Sequence, residues 1–132
     1  MALVLSDIFG HVIPGGGTFQ KIMTVGNADA TANENIDYNK YYGVDVSGGS
    51  ITLTLPATAP STADRIIIYD NNGTISNTNT VTVDFSPSST TLFTNGDNES
   101  SIVIDQPYAH VELAYVDASA GWKLSYSNIV HT

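Results

Sequence analysis

Ser50-Ile51-Thr52-Leu53-Thr54-Leu55-Pro56 alternates apolar and polar residues without a break. A period of two is that of a strand with one face in a core and the other in water. Gly48-Gly49 ahead of it marks a turn, and Pro56 behind it cannot donate to a ladder. The same period recurs down the chain. Val81, Val83 and Phe85 alternate with Thr82 and Asp84. Val111, Leu113 and Tyr115 alternate with Glu112 and Ala114, and Trp122, Leu124 and Tyr126 with Lys123 and Ser125. Thr, Val, Ile and aromatic residues fit such a pleated, half-buried surface. Ile66-Ile67-Ile68-Tyr69 is apolar throughout, which predicts a strand covered on both faces.

Turn signals separate these runs. Asp70-Asn71-Asn72-Gly73 follows the Ile66 run, and its Asn-Gly pair tolerates the positive φ that hairpin turns need. Asn95-Gly96-Asp97-Asn98 marks another turn, and Asp117 to Gly121 reads as a hairpin loop. The pattern places nine strands, near 19–25, 41–46, 50–55, 65–70, 80–85, 90–94, 101–105, 110–116 and 121–127. The weak helix candidate, 28–36, is rich in Asn and Asp and reads as a loop. The expectation is an all-β domain over residues 19–132. It would be an antiparallel β-sandwich, or partly open barrel, of about 8–9 short strands.

Residues 1–18 differ. Leu3, Val4, Leu5, Ile8, Phe9, Val12 and Ile13 precede Pro14-Gly15-Gly16-Gly17. The glycines lack the stiffness of an element, while the segment before them is too apolar to be a solvated tail. This reads as an extended apolar arm on a glycine hinge, with those seven residues binding a partner chain. The alternative is an arm folded back on its own domain. The start has no basic segment and Asp7 interrupts the apolar run, so it is not read as a secretory signal.

Thirteen acidic residues face four basic ones, for a net charge of −9. That charge argues against nucleic acid and anionic membrane as partners. Cysteine is absent, which removes disulfides and Cys-based metal sites. No apolar stretch approaches the ~18 residues of a membrane-spanning helix. The polar surface rests on 39 Ser, Thr and Asn residues rather than on charge.

The chain carries no Gly-x-Ser-x-Gly elbow, phosphate loop or dinucleotide fingerprint. His110 and Glu112 share a strand face and offer two metal ligands, fewer than the three protein ligands of a catalytic zinc site; a solvated outer face is the plainer reading. Asp97 and Glu99 in Asn95-Gly-Asp-Asn-Glu99 offer carboxylates that, with backbone carbonyls, could hold Ca²⁺, but the match to known calcium loops is poor and a plain turn is the simpler reading. Asp45, Asp70, Asp84, Asp105 and Asp117 sit at strand ends or outward positions and suit turn amides. Arg65, the only arginine, follows Asp64 and suggests a local ion pair. Trp122 reads as a core anchor with its indole N–H satisfied, the alternative being a platform for sugar stacking. The expectation is no catalytic residue, no cofactor and no metal.

The order of the strands carries a resemblance. Ser50-Ile-Thr-Leu-Thr-Leu-Pro56 is followed by Ala63-Asp-Arg-Ile-Ile-Ile-Tyr-Asp70 and Asn77-Thr-Asn-Thr-Val-Thr-Val83. Then come Ser101-Ile-Val-Ile-Asp105, Tyr108-Ala-His-Val-Glu-Leu113 and Gly121-Trp-Lys-Leu124. The series resembles small β-modules of tailed-phage virion proteins, found in tail fibres and in proteins that cover the capsid. Ala63 stands where that pattern often has Gly. The resemblance implies a non-enzymatic virion protein. With the arm, it suggests a head decoration or cement protein on the outer surface of the head. Its partners would be the major capsid protein and copies of itself, as a homo-oligomer such as a trimer. A tail, collar or fibre protein with a receptor- or glycan-binding role is the alternative.

Overall fold

The computed structural model describes residues 21–94 and 97–129. The arm residues Leu3, Val4, Leu5, Ile8, Phe9, Val12 and Ile13 lie outside the described residues, as do His11 and His131. Within them the chain is all-β, with eleven strands in two mixed sheets. In chain order the strands are β1 Thr24–Ala30, β2 Glu34–Asn35, β3 Lys40–Val44, β4 Ile51–Thr54, β5 Arg65–Tyr69 and β6 Val81–Asp84. They continue as β7 Leu92–Thr94, β8 Asp97–Glu99, β9 Ser101–Ile104, β10 His110–Asp117 and β11 Gly121–Ser127.

The large sheet runs β1-β3-β5-β10-β11, extended by the β7–β8 pair through a single pairing of Leu92 with Trp122. The small sheet runs β2-β4-β6-β9. Through β6 the chain alternates between the two. Strands β1, β3 and β5 stack in parallel in the large sheet, and β2, β4 and β6 in parallel in the small one. The first half is therefore a two-sheet coil. The second half closes it with antiparallel strands: β9 against β6, and the β10–β11 hairpin against β5.

This corrects the expectation of antiparallel pairing. Alternation reports which face of a strand is buried, and a parallel strand covered on one face alternates equally well. Strand direction depends on where the connection goes. Gly73 does take φ +70, but its turn sends the chain across to the other sheet, so β5 and β6 are not a hairpin. The 28–36 stretch is not a continuous loop either: it holds the end of β1 and all of β2.

The core lies between the sheets. Tyr42, Ile66, Ile68, Val111, Leu113 and Trp122 face it from the large sheet, and Ile51, Leu53, Val81, Val83 and Ile104 from the small one. Trp122 is fully buried and packs near Tyr38, Phe85 and Tyr115, with ring centroids 5.8, 6.0 and 5.4 Å away. Its Nε1–H donates to Thr90 Oγ1 at 2.9 Å. It is a core anchor, and burial removes it as a sugar platform.

The β5 strand is covered on both faces as its sequence predicts. Ile66 and Ile68 point into the core, and Ile67 on the opposite face is only 6% exposed. The Asp64–Arg65 ion pair is not formed. Arg65 Nη1 meets Glu112 Oε1 at 3.0 Å across the β5–β10 ladder, and Asp64 instead takes Lys21 Nζ at 2.7 Å. Adjacent residues of a strand point to opposite faces, whereas residues on neighbouring strands share one.

Candidate functional site

The large sheet carries a groove on its outer face, at the end where β5 stops and β10 starts. Its position follows from one aspartate. Asp70 ends β5 and is 2% exposed. Its Oδ1 accepts from Thr74 N–H at 3.0 Å and Thr74 Oγ1–H at 3.1 Å. Its Oδ2 accepts from Ile75 N–H at 2.9 Å and Tyr108 N–H at 3.1 Å. One carboxylate thus closes the 70–75 turn and docks it on the segment leading into β10. Burial acts to raise the Asp70 pKa, but the donors from Ile75, Thr74 and Tyr108 outweigh it and hold the carboxyl below its ordinary value.

Tyr108 sits at φ +58, left-handed for a residue with a bulky side chain. Three neighbours hold it there. Asp70 accepts its N–H, and Asn128 Nδ2 donates to its carbonyl at 2.8 Å. Gly73 lies directly against its ring, so close that a Cβ there would come within 2.5 Å of Tyr108 Cζ. The residue is nonetheless 62% exposed. Asn128 also accepts from His110 N–H through Oδ1 at 2.8 Å, so it clamps both ends of the 108–110 segment. The His110 and Tyr126 rings meet edge to face, 5.4 Å between centroids and 84° apart.

These residues, with Tyr69, Asn71 and Glu112, line an open groove of about 560 Å³. Exposed Tyr108 and Tyr126 supply aromatic surface, and Asn71, Asn128, His110 and Glu112 supply hydrogen-bonding groups. The acids here are already engaged, Glu112 by Arg65 and Asp70 by its amide donors. The groove therefore offers reversible binding more readily than proton transfer.

Three of the other aspartates singled out in the sequence hold turns in the same way. Asp45 accepts from Ser47 N–H and Oγ–H, Asp84 from the same groups of Ser86, and Asp117 from Ser119 and Ala120 N–H. The Ser47 donors lower the Asp45 pKa. Asp97 and Glu99 fall on β8, opposite Thr94 and Leu92, rather than in a calcium-type loop. His110 and Glu112 do share a face, as their spacing implies, and the groove unites them with residues that spacing did not select. Tyr108, Tyr126, Asn71 and Asn128 carry no local motif, and only the β5–β10–β11 pairing brings them together.

Among the described residues, no group of three His, Cys, Asp or Glu side chains is placed to hold a metal ion. Among them, too, no helix is long and apolar enough to cross a membrane. The chain matches no protein-family model and no curated protein.

Proposed function

We propose that this protein is a non-enzymatic structural protein of a tailed-phage virion. It decorates the outer surface of the head and cements contacts between major capsid subunits. The observation that carries this reading is how the resembling segments sit in the fold. In chain order they supply β4, β5, β6, β9, β10 and β11, the body of both sheets. Their one departure also fits. Ala63, standing where glycine is usual, takes φ +73, a conformation that glycine adopts freely. The backbone thus keeps the turn for which the pattern uses glycine.

The surface suits an adhesive role. Among the described residues β9 ends the small sheet. Phe85 N–H donates to Ser100 O, so by the alternation of an antiparallel ladder Ser101 and Val103 turn their backbone groups away from β6. Val103 is also 59% exposed. An open edge with an apolar side chain is a template for strand addition by a neighbour. Lattice symmetry would multiply such weak contacts into high avidity.

A tail or fibre position with a receptor-binding role is the second reading, and the tyrosine-lined groove favours it. Copy number separates the two. Densitometry of purified particles is expected to give a count on the order of that of the major capsid protein; a handful of copies per particle favours the tail. Deleting residues 1–13 is expected to abolish particle binding while the chain keeps a cooperative melt. Normal occupancy by the truncated chain would show that the arm does not bind the shell.

A further inference from the structure

We infer that the groove between Tyr108 and Tyr126 is a binding site for a neutral oligosaccharide. The inference deepens the receptor-binding reading and names its ligand class, but the groove alone carries it, whatever the position in a particle.

The first argument is how Tyr108 is held. Left-handed backbone is disfavoured for a residue with a Cβ. Here Asp70, Asn128 and Gly73 maintain it. A tyrosine left 62% exposed contributes little to the core. Two segments, the 70–75 turn and the residue after β11, therefore cooperate to present an aromatic side chain to solvent, which is how a rigid recognition surface is made.

The second argument is the chemistry of the lining. Aromatic faces carry partial negative charge and attract the weakly positive C–H groups of a sugar ring. Tyr126, 51% exposed and in T-shaped contact with His110, supplies a second ring. Asn71 lines the groove with a planar amide that can pair with vicinal hydroxyls two bonds at a time, while Asn128 and Glu112, already engaged by Tyr108, His110 and Arg65, offer single further bonds. The volume, about 560 Å³, lies within the ~300–1,000 Å³ usual for ligand sites. Because the groove is open rather than enclosed, it accepts a segment of a longer chain.

The third argument is charge. No Lys or Arg lines the groove among the described residues, and Arg65 is paired with Glu112. The whole chain carries −9. Phosphorylated, sialylated or uronic-acid glycans would meet repulsion without a counter-charge. A neutral glycan meets neither.

The test is titration of the intact protein with a panel of neutral oligosaccharides, followed by calorimetry and by NMR shifts of groove residues. A proline-rich peptide and an acidic glycan serve as competitors of other chemistry. At least one neutral sugar should bind and shift Tyr108, His110 and Tyr126. Tyr108→Ala and Tyr126→Ala should each weaken it about tenfold or more, as loss of an aromatic contact of ~1.4 kcal/mol implies. Tyr126→Ala keeps the test valid if Tyr108→Ala melts early, since Tyr126 does not pack on the Gly73 turn. No binding by any neutral sugar at millimolar concentration overturns the inference. So does binding untouched by both variants, or preference for the peptide or the acidic glycan. None of these results bears on copy number per particle, so the two proposals fail separately.

Discussion

Asp70 and Ala63 show how single residues set the turns around β5. Asp70 has four donors on two oxygens, and its folded pKa lies below the unfolded value. A depressed carboxylate stabilises the fold above its unfolded pKa, about 3.9, and that contribution fades as pH falls through the folded pKa. Asp64 adds in the same sense. Burial opposes its ionisation, but the donors from Lys21, Ser61 and Asn39 prevail. Asp70→Asn should therefore cost about 2–3 kcal/mol at pH 7, because an amide replaces a carboxylate facing N–H donors. The gap between wild type and variant should shrink below about pH 4. Chemical denaturation from pH 7 to pH 2 measures it, and a gap that stays constant would refute the lowered pKa. Ala63→Gly runs the other way. Ala63 holds φ +73, and relief of that strain is partly offset by glycine's greater freedom in the unfolded chain. A gain of up to ~1 kcal/mol is expected, read as a higher melting temperature.

At the scale of elements, β5 and β9 are opposites. β5 has a parallel neighbour on one side, an antiparallel neighbour on the other and cover on both faces. Its unbroken apolar run announced this, because only a strand without a solvent face has no need of polar residues. β9 has β6 on one side and no strand on the other among the described residues. Its residues alternate like those of any half-buried strand, and nothing in Ser101-Ile-Val-Ile104 marks it as an edge. Val103→Lys places a charge on that edge, the means by which natural sheets discourage pairing. The variant should melt within ~0.5 kcal/mol of wild type, since the site is exposed. It should also lose self-association or particle binding in sedimentation assays. Unchanged association would show that β9 is not the adhesive edge.

For the whole molecule, residue pattern and chain path carry different information. The period of two located most strands to within a few residues and assigned most inward side chains, Ile51, Leu53, Val81, Val83, Val111 and Leu113 among them, but it failed in β11, where Leu124 and Tyr126 alternate with polar residues yet are exposed beside an irregular register with β10. The shortest strands escaped it: β2 spans two residues and β8 three, too few to show a period. The β10–β11 hairpin was legible because its loop is local, with Gly121 at φ +68 where the chain turns back. Pairing direction in the first half was not. Each connection from β1 to β6 crosses between sheets, and a crossing link is built from the same Gly, Asn and Pro residues as a hairpin. The groove was illegible for the same reason, since Asn71, Tyr108 and Asn128 are distant in the chain and meet only where β5, β10 and β11 align. From the residue pattern alone came the all-β class, the longer strands and, β11 apart, the face each buries, because hydrophobic periodicity acts between neighbours in the chain. The tertiary structure alone decided the two-sheet coil, the open β9 edge and the tyrosine groove, because these depend on contacts between segments that no local pattern encodes.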